Sequence, residues 1–206
     1  MIPKRIIFCW FGGKEKPQNV MNCIQTWKDK MPEWEYLEIN ESNFDINYND
    51  YVKEAYKNRM WAYVSDVARL WALYNYGGIY MDTDVLVFQP LDKFLNHEFF
   101  TGFEQLHYPV TATMGATKEN KTIKEMLDTY DHKTFITHNN WWEYETNTVI
   151  MSDILGKYID RDRMEYQEKD GVAIYPRETF CSHSELNDNV YTQHLMFGNW
   201  GEKWKR

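Results

Sequence analysis

The chain is poor in cysteine and proline, and it has no run of apolar residues long enough to cross a bilayer. Its three cysteines, Cys9, Cys23 and Cys181, form no C-x-x-C pair and leave one unmatched. A reducing compartment fits that count better than a disulfide scaffold. The apolar stretch at residues 6–11 is too short for a signal-peptide core, so the protein is expected in the cytoplasm. Internal repeats, low-complexity tracts and interdomain linkers are absent from the sequence. Basic residues are the minority, 23 against 31 acidic ones, and the net charge of −8 argues against a nucleic-acid-binding surface. An anionic ligand would need a metal or a few cations placed locally.

What the chain does have is apolar and aromatic material. Of its 206 residues 43% are hydrophobic and 17% aromatic, enough for the core of a single domain over residues 1–206. Aromatic faces build cores, and they also serve as stacking platforms in sugar-handling clefts. Composition does not separate the two uses.

Periodicity gives an α/β order. The run Ile6-Ile7-Phe8-Cys9-Trp10-Phe11, closed by Gly12-Gly13, reads as a buried first strand. Pro17 opens a helix to about residue 30, and Tyr36-Leu37-Glu38-Ile39 reads as a second strand. Residues 40–49, rich in Asn, Asp and Ser, read as a loop. Helical spacing of Trp61, Val64, Ala68 and Trp71 predicts a long helix over residues 60–76, stopped by Gly77. Strands follow at residues 79–81, 85–88, 99–103 and 111–116, then a helix over 120–130. Residues 132–145 read as a loop and 146–157 as a helix, with late strands at 172–175 and 190–194. The alternation implies a sheet flanked by helices, with nucleotide binding in the front half.

Two segments carry the chemistry. Ser65-Asp66-Val67-Ala68-Arg69 sets Asp66 and Arg69 one helical turn apart, where they can pair. An exposed pair of this kind is worth only a few tenths of a kcal/mol. Charges among Trp, Tyr, Val and Leu need a specific partner, however. The second segment, Gly77-Gly78-Ile79-Tyr80-Met81-Asp82-Thr83-Asp84-Val85, ends a short apolar strand in two carboxylates. At i, i+2 spacing along an extended chain both would point the same way. Hard oxygen ligands at a strand end suit a divalent cation that also holds phosphate oxygens, although an isolated D-x-D is also an ordinary acidic turn.

Taken together, these segments resemble the DXD region of nucleotide-sugar glycosyltransferases. More closely the chain resembles glycosyltransferase family 32, and its F-x-W-x-G-G start is similar to that of the large glucosylating toxins. The resemblance implies a GT-A type, Rossmann-like fold with a central mixed sheet flanked by helices. It divides the domain into a nucleotide-sugar part (about residues 1–100) and an acceptor part with a C-terminal metal and phosphate block (about 101–206). The implied activity is metal-dependent, retaining transfer of a hexose from a nucleotide sugar, UDP-linked before GDP-linked, using Mn²⁺ or Mg²⁺. The implied acceptor is a glycan or lipid-linked saccharide of capsule or lipopolysaccharide synthesis.

Residue by residue, the resemblance makes Asp82 and Asp84 metal anchors and gives Asp66 and Arg69 the donor sugar hydroxyls. It places His194 as a third metal ligand, Trp10 over the base, Gly12 against the nucleotide, Tyr80 in the donor pocket, Asn147 near the acceptor and Trp200 on a phosphate. Asn199 stands where the family often has Ser. Trp10 and Trp200 also fit packed core positions, and a lone histidine is usually structural. The tail from Trp200 to Arg206 mixes aromatic and basic residues, which suits contact with the inner membrane face as well as a solvated terminus. The alternative to an enzyme is a nucleotide- or carbohydrate-binding module of the same fold without turnover.

Overall fold

Alternation along the first strand divides the core in two. In a computed structural model, β1 (Arg5–Cys9) sends Ile7 and Cys9 to one face of the sheet and Ile6 and Phe8 to the other. β3 (Gly78–Met81) does the same, with Tyr80 on the first face and Ile79 and Met81 on the second. The structure describes residues 1–109, 112–136, 146–181 and 187–197.

The first face is covered by α2 (Asp50–Lys57), α3 (Trp61–Tyr76), α4 (Lys121–Asp128) and α5 (Asn147–Leu155). The second is covered by α1 (Gln18–Lys30), the strand β4 (Val85–Val87) and the short α6 (Arg177–Cys181). The remaining strands are β2 (Glu35–Ile39), β5 (Phe99–Gln105), β6 (Tyr108–Pro109), β7 (Thr113–Ala116), β8 (Gln167–Lys169), β9 (Val172–Tyr175) and β10 (Thr192–His194). The main sheet runs β2-β1-β3-β7-β5-β9-β8, with β6 added to β5. Pairs β1–β2, β1–β3 and β5–β9 are parallel, whereas β3–β7, β5–β7 and β8–β9 are antiparallel. This is the expected mixed sheet flanked by helices.

α3 is apolar nearly all round, as a helix packed between a sheet and other helices must be. Gly77 stops it at φ +64, and its N–H closes on the Leu73 carbonyl at 2.9 Å. A side chain at Gly77 would lie 2.7 Å from the Lys118 nitrogen, so only glycine turns the chain here into β3.

β4 is short and leaves the main sheet, and α1 anchors it. The fully buried Trp27 donates its indole N–H to the Val85 carbonyl at 2.7 Å, and the Val87 N–H donates to Thr26 Oγ1 at 3.0 Å. The other edge pairs with β10, antiparallel, with His194 opposite Val85. No helix among the described residues is long and apolar enough to cross a membrane.

Several elements differ from the sequence expectation. β1 ends at Cys9, before Trp10, and α2 follows directly on the stretch read as a loop. Asn49 caps α2, its side chain accepting from the Val52 N–H at 2.9 Å. β6, β8 and α6, each of two to five residues, were not expected either.

Candidate active site

Asp66 and Arg69 stand one turn apart on α3 and meet as the spacing predicts, with Arg69 Nη2 3.1 Å from Asp66 Oδ1. The same nitrogen lies 3.3 Å from Asp82 Oδ1, just beyond β3. Arg69 Nε donates to the Ser65 carbonyl at 3.2 Å, and the guanidinium lies over the Tyr80 ring at 4.6 Å. The side chains of Arg69 and Asp66 are only 7% and 13% exposed, so this is a buried charge network rather than a surface pair. Burial opposes the charge on Arg69, but Asp82, Tyr80 and Asp66 outweigh it and hold the guanidinium firmly protonated.

Asp66 carries the cost of that burial. Desolvation pushes its carboxyl up to about 6, with Arg69 pulling down, Asp82 adding to the rise and the Asn147 amide easing it. Asn147 is the first residue of α5, and its Nδ2 donates to the Asp66 carbonyl at 3.4 Å. Its Oδ1 is buried without a hydrogen-bond partner among the described residues.

The two carboxylates of the D-x-D sit in a turn, not along an extended strand. The Val85 N–H bonds back to the Asp82 carbonyl at 3.2 Å, where the chain leaves β3 of the main sheet for β4 of the second. The turn still brings them together: ligand atoms of Asp82, Asp84 and His194 lie within 4.8 Å of one another. Tyr80 donates its hydroxyl to Asp82 Oδ1 at 2.6 Å. Burial keeps that phenol protonated, and Tyr80 is only 1% exposed, with its hydroxyl directed at Asp82.

Asp84 is held by the C-terminal segment. Its carbonyl accepts the Leu195 N–H at 2.9 Å, its Oδ2 accepts the Phe197 N–H at 2.9 Å, and Oδ1 faces His194 Nε2 at 3.3 Å. Burial works against ionising Asp84, but the hydrogen bond and charge of His194, joined by the Phe197 N–H, outweigh it and hold the carboxyl below its ordinary range. On His194 burial again opposes the charge. The Asp84 hydrogen bond, Cys181 and the nearby carboxylates prevail and push the imidazole up to about 10. The environment therefore favours positive charge at this point, and two carboxylates with an imidazole are a donor set that fits a divalent cation.

A second group of possible ligands adjoins the first. Ligand atoms of Glu104 on β5, Cys181 on α6 and His194 also lie within 4.8 Å of one another, a plausible metal-coordinating cluster. No spacing in the sequence pointed to Glu104 or Cys181, because they meet His194 only through the packing of β5, α6 and β10.

Trp10 lies on the other face of the sheet from Tyr80, packed against the cluster that holds Phe8, Trp27 and Val85. Its indole N–H donates to the Lys14 carbonyl at 2.7 Å, and the Lys16 ammonium lies 5.7 Å from its ring centroid. Gly12, at φ +93, donates its N–H to Glu41 Oε1 at 2.7 Å. The Trp61 indole lies so close that a side chain at Gly12 would meet it at 2.8 Å. Glu41 also accepts the Tyr56 hydroxyl at 3.1 Å, and neither residue was singled out from sequence. Trp200, Asn199 and the tail lie outside the described residues.

Comparison with known proteins agrees with this geometry. Residues 17–101 match the family model described as the glycosyltransferase sugar-binding region containing the DXD motif. That match spans α1 through Asp82 and Asp84 into β5. No curated protein matches the chain significantly.

Among solved structures, the glycosyltransferase PaToxG superposes with a TM-score of 0.51 at 19% identity, over 77% of this chain and 69% of that one. A glycosyltransferase involved in glycosylation of the major capsid of PBCV-1 superposes with a TM-score of 0.53 at 10% identity, over 94% of each chain. The galactosyltransferase LgtC, in complex with donor and acceptor sugar analogs, gives 0.51 at 10% identity over 92% of this chain and 86% of that one. The chain has the GT-A fold. The motif match over residues 17–101 and the fold together support glycosyltransferase activity. They do not assign it to glycosyltransferase family 32.

Proposed function

We propose that this chain transfers a hexose from a nucleotide sugar, a UDP-hexose first, to a glycan or lipid-linked saccharide acceptor, with retention of anomeric configuration. The observation that carries the reading is the meeting of Asp82, Asp84 and His194 beside the Asp66–Arg69 pair. Asp82, Asp84 and His194 would hold the cation, Mn²⁺ before Mg²⁺ because one ligand is an imidazole. Such an ion supplies Lewis-acid stabilisation for charge growing on the departing diphosphate.

The chain's own residues do the positioning. Arg69 donates to donor hydroxyls and Asp66 accepts from them; the Ser65 carbonyl, Tyr80 and Asp82 aim Arg69, which in turn holds Asp66. Asn147, whose amide meets Asp66, presents a polar edge beside the same pocket. Trp10 and Gly12 would receive the base and ribose at the end of β1, and Trp200 would complete the phosphate contacts. Among the described residues no carboxylate stands out as a base for the acceptor, and front-face attack with the leaving diphosphate taking the proton needs none. Residues 1–206 act as one catalytic domain in this scheme, with synthesis of capsule or lipopolysaccharide at the inner membrane face as its setting.

Nucleotide release from a panel of UDP- and GDP-sugars, with Mn²⁺ and with chelator, tests the reading. Slow hydrolysis of one UDP-hexose that stops in chelator is the expected result. Release that ignores chelator, or no binding of any UDP–Mn²⁺ complex by titration, would reject it.

A further inference from the structure

His194 stands between two donor sets, and only one of them belongs to the D-x-D. Its Nε2 faces Asp84 Oδ1 at 3.3 Å. Its Nδ1 is buried and makes no hydrogen bond of ordinary geometry among the described residues, although the Cys181 side chain acts on the ring and favours its proton. A buried polar atom without a well-formed partner is costly, so a filled state of this nitrogen is favoured. Glu104 and Cys181 offer a carboxylate oxygen and a thiol sulfur within 4.8 Å of an imidazole nitrogen and of each other. Cys181 is fully buried and forms no disulfide.

We propose that Glu104, Cys181 and His194 Nδ1 form a second metal site, specific for a thiophilic divalent cation of the Zn²⁺ class and distinct from the D-x-D site. Sulfur, nitrogen and oxygen donors are the set that Zn²⁺ prefers, whereas Mn²⁺ and Mg²⁺ favour oxygen. Zinc bonds of about 2.0–2.3 Å place tetrahedral ligands roughly 3.3–3.8 Å apart. Each pair of ligand atoms lies within 4.8 Å, so a contraction of at most about 1.5 Å would bring them into that range, leaving one tetrahedral position for a further ligand.

Asp84 has a defined part in this state. With Nδ1 on the cation, Nε2–H donates to Asp84, an arrangement in which a carboxylate orients the metal-bound imidazole. Binding releases the Cys181 thiol proton to solvent, and the imidazole binds with Nδ1 deprotonated and one proton kept on Nε2. Affinity therefore falls as pH falls.

The same proton on Nε2 removes His194 from the D-x-D set. One imidazole serves both sites only if it loses both ring protons, so occupancy of one site opposes occupancy of the other. If the proposed transferase reading holds, Zn²⁺ at Glu104, Cys181 and His194 competes with the activating cation. Zinc binding itself does not depend on that reading.

Co²⁺ is the spectroscopic probe, because a cobalt–thiolate bond gives a near-ultraviolet charge-transfer band. Full-length protein titrated with Co²⁺ is expected to develop that band at one equivalent, and Zn²⁺ is expected to displace it. Cys181→Ser, checked for folding by circular dichroism, is expected to lose the band and to bind Zn²⁺ about tenfold or more weakly. Asp82→Asn is expected to keep the band, and Glu104→Gln to weaken Zn²⁺ binding without removing the thiolate signal. No band in the folded wild type, or a band undiminished in Cys181→Ser, overturns the site. So does Zn²⁺ affinity unchanged in both Cys181→Ser and Glu104→Gln.

Discussion

Replacing Asp66 with asparagine should make this protein more stable and less active. The carboxyl is pushed from 3.8 up to about 6 by burial, an effect already net of attraction to Arg69. The folded chain therefore binds that proton more tightly than the unfolded chain does. Stability is lost as pH rises through the window from 3.8 to about 6, and the full penalty is present above it. At 1.36 kcal/mol per pKa unit the penalty at neutral pH is about 3 kcal/mol, a ceiling that local relaxation lowers.

The neutral, nearly isosteric Asp66→Asn variant does not bear this penalty, and Arg69 keeps Asp82 and the Ser65 carbonyl. A gain of roughly 1–3 kcal/mol converts to a Tm rise of about 2–12 °C for a chain of this size. Thermal melts in chelator at pH 7.5 and pH 4.5 measure it. At the lower pH the wild-type carboxyl is largely protonated when folded, and the advantage should shrink to about 1 kcal/mol. A variant that melts below wild type at pH 7.5, or a gap that does not narrow on acidification, would refute the reasoning. Loss of donor hydrolysis in the same stabilised variant would mark Asp66 as a residue kept for function at the expense of stability.

Arg69→Ala should act in the opposite direction, because it leaves Asp66 and the partly buried Asp82 without the cation they share. A cost of about 3–5 kcal/mol is expected in a denaturant titration, and a change under 1 kcal/mol would contradict the buried network. Trp10→Ala should weaken UDP binding measured by calorimetry while leaving the circular dichroism spectrum intact. Unchanged affinity in a folded variant would make Trp10 a packing residue of the α1 face alone.

The parts legible in the sequence are those governed by local rules. α3 announced itself through helical spacing and a glycine stop, and the D-x-D through an apolar strand that ends in carboxylates. α2 was hidden because its start lies beside an Asn- and Asp-rich stretch. Asn49, the capping residue, was the available signal for it. β8 offers three mostly exposed residues and α6 only five, too few for a period to show. Glu104 and Cys181 were invisible for another reason: strand pairing and helix packing bring them to His194, and no spacing encodes that. The extended geometry expected for Asp82 and Asp84 gave way to a turn because β3 and β4 belong to different sheets. Even so, their meeting with His194 follows from the β4–β10 pairing, which aligns His194 with Val85.

The central claim is that Asp82, Asp84 and His194 hold the cation that supports transfer. Mn²⁺-dependent nucleotide release from the preferred donor, compared between wild type and Asp84→Asn, tests it most directly. Loss of an electrostatic stabiliser of this kind should slow release by roughly 10²–10³-fold, with the folded state retained. Equal Mn²⁺-dependent rates in the two proteins would contradict the account.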